Sequence, residues 1–335
     1  MSAEPTPATA KTPSIPSSQL FSLAGQTAIV TGGIGAACAI ALAEAGANIC
    51  LIQRDDSNTA TRDAIRALGR RADIAICDLS DLEAVRTVFD RALDLMGGQV
   101  HIMVNCGGIQ RRAPAVEFPE SYWDEVSTSK FRASWAGWAG YEEKVRMGDK
   151  HPRSLHFELR ARFPTASHPG NSTTYTGDQR EPQSSLALIS GSRATHGVKW
   201  TREDNQLWIA DVLPSLCSIS RTVFVSNAEY MQGGITVPAY AAAKGGLAQL
   251  TKALSNEWSK HNVQVNAICP GYIATDMNEK LLADPTRLRQ ISERIPAGRW
   301  GEPKDFAGPT VFLASSASAY VSGELLVVDG GWMGR

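Results

Sequence analysis

The sequence predicts an α/β fold in which helices cover both faces of a doubly wound parallel sheet. From residue 27 onward, short apolar runs alternate with amphipathic runs, which is the order that produces β-α-β units. The short runs are apolar on both faces, as strands buried inside a parallel sheet are. We therefore expect a single doubly wound domain with a long irregular insertion, which the elements below define in order.

The first half of the chain predicts four strands and three helices in strict alternation. The strands cover residues 27–31, 48–53, 72–77 and 101–105, and the helices cover 34–45, 61–68 and 82–96. The last third repeats the alternation with helices at 240–260, 287–294 and 303–314 and strands at 263–269 and 324–328. Residues 1–20 are rich in Pro, Ser, Thr and Ala and predict a disordered tail before a domain that spans 21–335.

The segment 127–225 breaks this alternation. It holds four of the eight tryptophans and four of the six histidines, and it lacks a long run of period 3.6 or 2. Only 207–213 and 219–226 predict a short helix and a short strand. Two explanations remain, a genuine inserted lid or translated non-coding sequence such as a retained intron, and the mixed composition between intact flanks favours the second.

Composition excludes several functional classes. The chain has 335 residues, 43% apolar residues and a formal charge of −1, with neither a basic stripe nor an acidic tail, so we expect no nucleic-acid partner. No apolar run approaches the ~20 residues that span a bilayer. The six cysteines form no CxxC pair and have no histidine at zinc-binding spacing, which predicts reduced thiols, no metal site and a cytoplasmic protein.

A glycine cluster joins the first predicted strand to the first predicted helix. Gly32, Gly33 and Gly35, with Ile34 between them, would let the backbone approach a pyrophosphate, which the N-terminus of the following helix favours through its free N–H groups. Such a cluster can also be no more than a tight turn. Its place at the start of the first β-α-β unit favours dinucleotide binding and hence a Rossmann fold.

The end of the second predicted strand bears on which dinucleotide is bound. An acidic residue there would accept a hydrogen bond from the ribose 2′-hydroxyl, whereas an arginine would attract a 2′-phosphate. The strand ends in neutral Gln53 and is followed by Arg54, which slightly favours NADP over NAD. The alternative is that Arg54 is an ordinary solvated loop residue.

Two further loops belong to the same edge of the sheet, because ligands of open α/β sheets bind at the carboxyl ends of the strands. Asp78 and Leu79 close the third strand, and Asn105 to Gly108 close the fourth. The small residues at 107 and 108 permit close approach of a ligand. Cys106 is interpreted as a packed thiol rather than a redox group.

The predicted helix 240–260 begins with a tyrosine and a lysine four residues apart. Residues i and i+4 share a helix face, so the phenol of Tyr240 and the ammonium of Lys244 can meet in one pocket. A nearby cation lowers the pKa of a tyrosine from ~10 and makes it a candidate for proton transfer. A Tyr and a Lys on the surface of an ordinary Ala-rich helix would give the same spacing.

Six motifs occur in an order that resembles the classical short-chain dehydrogenase/reductase family. They are TGGIG at 31–35, CDL at 77–79, VNCGG at 104–108, YAAAK at 240–244, NAICPG at 266–271 and VDGGW at 328–332. The resemblance covers 21–126 and 228–335. Within the family, 108–112, 233–238, 256–262 and 294–301 resemble the group of 2-deoxy-D-gluconate 3-dehydrogenase and 2-keto-3-deoxygluconate dehydrogenase.

The resemblance implies hydride transfer between NAD(P)(H) and a secondary alcohol or ketone, on a sugar acid or polyol. Tyr240 would be the general acid/base, and Lys244 would lower its pKa and bind the nicotinamide ribose. A serine partner is expected at Asn227, or at the neighbouring Ser226. The implied cofactor-binding residues are Gly32, Gly33, Ile34, Gly35, Arg54, Asp78, Leu79, Asn105, Gly107, Tyr240, Lys244, Pro270, Gly271, Ile273 and Thr275.

The resemblance also suggests how substrate and partner subunits bind. Arg111 or Arg112 is placed to meet a substrate carboxylate, and Gln232 is a further substrate candidate. The family helix at 240–260 usually packs against a second subunit, which implies a homo-oligomer, either a dimer or a tetramer. We expect no other macromolecular partner.

Three departures from the family pattern support a different class of function. The glycine loop is three residues shorter than TGxxxGxG, the serine position holds Asn227, and no relay asparagine follows Val126 before Asn171. The alternative to an enzyme is therefore a catalytically impaired Rossmann-fold protein with a binding or regulatory role, or the inactive product of a mis-spliced gene model.

Overall fold

The centre of the fold is a seven-stranded sheet in which every neighbouring pair of strands is parallel. The computed structural model describes residues 15–133, 220–226 and 233–335. The strand order is β3-β2-β1-β4-β5-β6-β7, which confirms the predicted doubly wound fold. The strands are β1 (Thr27–Thr31), β2 (Asn48–Gln53), β3 (Ala72–Ile76), β4 (Ile102–Asn105), β5 (Arg221–Val225), β6 (Gln264–Pro270) and β7 (Leu325–Val328).

Helices connect these strands, and most of their ends agree with the sequence prediction within two residues. They are α1 (Gly35–Glu44), α2 (Ala60–Ala67), α3 (Leu82–Leu95), α4 (Glu120–Ser127), α5 (Pro238–Trp258), α6 (Glu279–Leu282), α7 (Pro285–Arg294) and α8 (Ala307–Ala314). The predicted helix at 303–314 divides into a 3-10 turn, Pro303–Phe306, and α8. None of the helices in the described ranges is both long and apolar enough to cross a bilayer.

Local chemistry explains where two of these helices begin. Asp81 precedes α3, and its carboxylate accepts hydrogen bonds from the N–H groups of Glu83 and Ala84, which α3 itself leaves without acceptors. Pro238 occupies the first turn of α5, where a missing N–H costs nothing and the fixed φ suits a helix. Capping and proline placement therefore fix the start of the helix that carries Tyr240.

Side chains of successive strand residues pack into two separate apolar layers, one on each face of the sheet. In β1, Ala28 and Val30 belong to the layer under α1 and α8, whereas Ile29 faces the opposite layer, which contains residues of α3 and α5. All three side chains are buried. This alternation buries both faces of the sheet, which is why the strands are apolar throughout.

The structure extends order further toward the N-terminus than the sequence predicts. Ser17–Gln19 form a 3-10 turn, and the carbonyl oxygen of Leu20 accepts a hydrogen bond of 3.1 Å from the N–H of Ala317. Leu23 is completely buried soon afterwards, so the chain is tied to the domain from Leu20 onward, while residues 15–19 are exposed. Residues 1–14 lie outside the described residues.

The helical backbone also continues into the segment that the sequence predicts to be atypical from residue 127. A π-helical turn, Thr128–Arg132, follows α4 directly. Val126 packs with Tyr240 in one apolar cluster, and this contact with α5 explains why the helix after β4 forms although its sequence is not periodic. The predicted strand 219–226 is confirmed as β5, while 134–219, with the predicted helix 207–213, lies outside the described residues.

Strand order places a crevice beside β1. The chain runs outward from β1 to β2 and β3 on one side and from β4 to β7 on the other, so connections leave β1 and β4 toward opposite faces. In open α/β sheets the ligand site lies at this point, outside the carboxyl ends of the strands. Thr31 and Asn105 end the two strands and therefore border the expected site.

Candidate active site

The turn between β1 and α1 is short and closes on itself. The N–H of Gly35 donates to the carbonyl oxygen of Gly32 at 3.3 Å, and Gly33 adopts a φ of +72°, a conformation that favours glycine. A Cβ at Gly35 would lie 3.2 Å from Cγ1 of Val30, so this glycine lets α1 begin close to the strand. The glycine loop thus forms an ordered turn that leads into a helix N-terminus at the crevice, although it is shorter than the family pattern.

Thr31 ties the two strands of the crevice together. Its Oγ1 accepts hydrogen bonds from the backbone N–H groups of Cys106 at 2.9 Å and Gly107 at 2.7 Å. A Cβ at Gly107 would lie 2.3 Å from Cδ1 of Leu79 and 3.2 Å from that same Oγ1. The space beside Gly107 is therefore occupied by the side chains of Leu79 and Thr31, and Gly107 is also a candidate cofactor contact.

A cavity of about 440 Å³ opens at the ends of β1, β2 and β3. Predicted cofactor residues from three separate loops meet in its wall, namely Gly32, Arg54, Asp78 and Leu79, together with Gln53 and Gly108. Two hydrogen bonds from Ser80, one from its N–H and one from its hydroxyl, hold the pKa of Asp78 below its ordinary value and keep its carboxylate ionised. The sequence prediction that these residues share one site agrees with this geometry.

Two buried polar atoms test whether the crevice fits a dinucleotide. Within the described part of the chain, Nδ2 of Asn105 and Oε1 of Gln53 are buried without a hydrogen-bond partner. Leaving a polar group in this state costs roughly 1–3 kcal/mol, so such atoms usually face a ligand or water. An amide donor at the end of β4 and an amide acceptor beside Arg54 fit the ribose hydroxyls of NAD(P).

The two arginines proposed for a substrate carboxylate have other contacts. Arg111 forms an ion pair of 2.7 Å with Glu125 and lies 5.6 Å from the ring centroid of Tyr122. It lines the cavity that also holds Arg54, on the nucleotide side of the crevice. Arg112 is exposed and donates to Oε1 of Gln110 at 3.1 Å. The pairing with Glu125 weakens Arg111 as a carboxylate-binding residue.

Tyr240 and Lys244 lie together, as their spacing predicts. Both are buried, with exposures of 5% and 3%, and Nζ of Lys244 is 5.7 Å from the centroid of the Tyr240 ring. Val126, Val237 and Ala239 pack around the tyrosine. The surface alternative for this pair is therefore wrong, because neither side chain is solvated.

The surroundings of Lys244 make its protonated form less favourable than it is in water. Burial is the main cause that lowers its pKa from 10.5 to about 8, while the neighbouring thiols of Cys106 and Cys269 act in the opposite direction. Its ammonium donates a hydrogen bond to the carbonyl oxygen of Val225, at the end of β5. The hydrogen bond to Val225 therefore offsets part of the cost of burying the Lys244 ammonium.

Ser226 does not extend toward the phenol. Its hydroxyl donates a hydrogen bond of 3.0 Å to the carbonyl oxygen of Lys244, and the residue is buried. This contact anchors β5 to α5, so Ser226 has a structural task. The hydrogen-bonding partner expected beside Tyr240 therefore stays a prediction for Asn227 or Ser226. Asn227 and the substrate candidate Gln232 both lie outside the described residues.

The loop after β6 has a packing reason for its glycine. A Cβ at Gly271 would lie 2.7 Å from Cβ and 2.9 Å from Cα of Asp329, so the chain after β7 leaves no room for a side chain here. Pro270 ends β6, and Ile273 is buried. Thr275 is partly exposed just before a 3-10 turn.

The sequence analysis missed one residue that the structure brings to Tyr240. Lys130, on the π-helical turn after α4, places its Nζ 4.8 Å from the centroid of the Tyr240 ring. The available signal was its spacing of four residues from Val126, which puts both on one helix face. This spacing alone does not single out Lys130, because the segment from residue 127 lacks helical periodicity.

The described cysteines are free thiols. Cys38, Cys50, Cys77 and Cys269 are buried and Cys106 is partly buried, and within the described ranges none forms a disulfide. The side chain of Cys106 packs beside Gly35 and the thiol of Cys38. The interpretation of Cys106 as a packed thiol without a redox role stays a prediction.

Known proteins similar to this chain include sugar-acid dehydrogenases. Family models described as short chain dehydrogenase and as enoyl-(acyl carrier protein) reductase match residues 26–137 and 209–333. The 2-dehydro-3-deoxy-D-gluconate 5-dehydrogenase of Escherichia coli is 35% identical, over 94% of this chain and 98% of its own length. The gluconate 5-dehydrogenase of Gluconobacter oxydans is 30% identical, over 93% and 96%.

A solved structure extends the similarity to the fold. The gluconate 5-dehydrogenase of Burkholderia cenocepacia, crystallised in complex with NADP and tartrate, superposes with a TM-score of 0.69. It is 26% identical, and the match covers 95% of this chain and 98% of that one.

Proposed function

The chain belongs to the short-chain dehydrogenase/reductase family, and we propose that it is an NAD(P)-dependent oxidoreductase that interconverts a secondary alcohol and a ketone on a sugar acid. The observation that carries the proposal is the buried Tyr240–Lys244 pair on α5, next to a crevice lined by dinucleotide-type loops. The similarity to dehydrogenases of gluconate and its keto-deoxy derivative supports this function over a non-catalytic binding or regulatory protein.

The chemistry divides between the cofactor and the side chains. A bound nicotinamide supplies the hydride acceptor or donor. In the oxidative direction the substrate carbon loses a hydride and its hydroxyl loses a proton, which the phenolate oxygen of Tyr240 accepts. Lys244 stabilises that phenolate by its charge and, by the family pattern, contacts the nicotinamide ribose. Asn227 is the proposed hydrogen-bond donor to the substrate oxygen.

Binding of the dinucleotide is proposed to follow the strand ends. The glycine turn and the N-terminus of α1 take the pyrophosphate, Asp78 and Leu79 take the adenine side, and Asn105 and Gly107 line the middle of the crevice. Pro270, Ile273 and Thr275 are proposed to meet the carboxamide. Gly271 stays in this set through its backbone, since Asp329 occupies only the space that a side chain would take.

Steady-state assays on sugar acids test the function directly. The full chain, mixed with NADP or NAD and with D-gluconate or 2-dehydro-3-deoxy-D-gluconate, is expected to change nicotinamide absorbance, and neutral polyols are expected to react more slowly. The comparison that bears on substrate class is kcat/KM for acids against neutral polyols. Saturable cofactor binding without turnover of any secondary alcohol or ketone would contradict the enzyme and favour the binding protein.

Arg54 is expected to set the preference for NADP. It is exposed on the cavity wall at the end of β2, beside the neutral Gln53. An arginine–phosphate hydrogen bond contributes roughly 1.5–3 kcal/mol, so Arg54→Glu should raise the KM for NADP by about 10- to 100-fold and change that for NAD little. The measurement is kcat/KM with each cofactor. The matched control is Arg70→Glu, an exposed arginine that does not line the cavity, and equal losses with both cofactors would contradict the assignment.

We also propose that the protein is a homo-oligomer, a dimer or a tetramer, through the surface of α4 and α5. The exposed aromatic ring of Trp123 on α4 supports this. A cytoplasmic location is proposed on the free thiols of the described cysteines. Light scattering of the purified chain would give the subunit number.

A further inference from the structure

We propose that Lys130 is a positioning residue for proton transfer at Tyr240, with its ammonium group placed over the phenol ring so that it favours the phenolate. The proposal rests on the proposed function, in which Tyr240 exchanges a proton with the substrate. It adds a second cation to the site, supplied by a different element from the one that carries Tyr240 and Lys244.

The two ammonium groups approach the same aromatic ring. Nζ of Lys130 lies 4.8 Å from the centroid of the Tyr240 ring, and Nζ of Lys244 lies 5.7 Å from it. Both distances are within the ~6 Å range over which a cation is attracted to an aromatic face. Lys130 is the nearer of the two.

The backbone around Lys130 is built to admit it. Gly108 adopts a φ of +136°, and a Cβ there would lie 2.3 Å from Cγ and 2.8 Å from Nζ of Lys130, so the lysine stem passes directly over this glycine. The neighbouring Ser129 connects the turn to the same loop, because its Oγ accepts from the N–H of Ile109 at 3.4 Å. The side chain is therefore held in place on the Tyr240 side of the loop after β4.

Burial and a neighbouring positive charge both disfavour the charged form of Lys130. Lys130 is only 3% exposed, and burial first, then the positive charge of Lys244, hold its pKa well below its ordinary value of 10.5, with Cys106 acting in the opposite direction. The ammonium groups of Lys130 and Lys244 are both buried and repel each other, and both lie near the phenol of Tyr240. Ionisation of Tyr240 would relieve both the burial cost and the repulsion.

The groups that titrate together are few among the described residues. Lys130 faces Lys244 and Tyr240 on α5 and the Cys106 thiol after β4, and Lys244 in turn faces Cys269 on β6. Lys130 supports the phenolate while it is protonated, and this support is lost as pH rises through its own lowered pKa. The pH midpoint measured for ionisation of Tyr240 is therefore an apparent value that depends on Lys130, Lys244 and the two thiols together.

Direct titration of the tyrosine tests the proposal without requiring turnover. Near-ultraviolet absorbance of tyrosinate is recorded against pH for the wild type and for Tyr240→Phe, and the difference gives the ionisation of Tyr240. The same pair is measured with Lys130→Met, which keeps the stem and removes the charge. We expect the midpoint to rise by about one pH unit or more, as loss of an adjacent opposite charge predicts.

Lys252→Met is the matched control, because Lys252 is an exposed lysine on α5, and it should leave the midpoint unchanged. An unchanged midpoint in Lys130→Met overturns the proposal, and where that variant does not fold, Lys130→Gln decides in the same way. The titration and the sugar-acid assay test different claims. If the wild type turns over sugar acids but the Tyr240 midpoint is unchanged in Lys130→Met, only the role of Lys130 is rejected. A raised midpoint in a chain without turnover supports that role and rejects the proposed function.

Discussion

Replacing Tyr240 by phenylalanine is expected to lower kcat on the order of 10²- to 10⁴-fold, the usual contribution of a general acid/base. The ring is buried among Val126, Val237 and Ala239, and phenylalanine fills the same space, so the fold should be kept. Only the proton-transferring oxygen is removed. The measurements are kcat and KM with a sugar acid, together with the cofactor Kd, which should change little.

The matched control is Tyr320→Phe, because Tyr320 is fully exposed and should give wild-type kinetics. If Tyr240→Phe retained more than about a tenth of the wild-type kcat, a contribution of the expected size would be absent and another group would have to carry the proton. A loss confined to cofactor binding would also contradict the assignment, since the phenol would then serve only in binding.

Replacing Lys244 by methionine is expected to have two effects of opposite kind. Activity should fall on the order of 10²-fold or more, because the phenolate loses its nearest partner on α5. Stability near neutral pH should rise, because the fall of the Lys244 pKa from 10.5 to about 8 corresponds to a burial cost of roughly 3 kcal/mol. The carbonyl oxygen of Val225 loses its donor, which offsets about 1 kcal/mol of that gain.

The stability gain should depend on pH in a defined direction. The folded-state pKa is below the unfolded value, so the wild type carries the full cost below about pH 8 and is relieved of it as pH rises toward 10.5. Urea unfolding of Lys244→Met and the wild type should differ by roughly 1–2 kcal/mol near pH 7 and converge near pH 10. Lys252→Met should show no such gain, and a gain that is equal at both pH values would contradict burial of a charged Lys244.

Much of the fold could be predicted because its signals are local. The strands β1 and β2 have the bounds that their apolar runs predict, and Pro238 marks the start of α5 close to its predicted position. The sequence prediction differs from the structure where contacts between residues distant in sequence determine the local conformation. Leu20 is hydrogen-bonded to Ala317, and the helix beyond residue 127 is held by packing on α5. Neither contact leaves a periodic pattern in the segment itself.

The candidate site divides in the same way. Four residues of helix place Tyr240 and Lys244 on one face, and the six ordered motifs, rather than this spacing alone, predicted that the face belongs to a site. The partner of Gly271 is Asp329, and that of Arg111 is Glu125, neither of which a motif specifies. Lys130 reaches Tyr240 only because Gly108 leaves room for its stem. Such side-chain partners depend on tertiary packing, so sequence alone could not give them.

Fluorescence titration of NADPH and NADH onto the full chain tests most directly whether the crevice between β1 and β4 holds a nicotinamide cofactor beside Tyr240. The short turn from Gly32 to Gly35 is closed and ordered, and the orphaned amide of Asn105 faces the same edge. We predict saturable binding with a Kd between about 1 μM and 1 mM, tighter for NADPH, and displacement by oxidised NADP. Absence of saturable binding of either nucleotide up to millimolar concentrations would contradict the account.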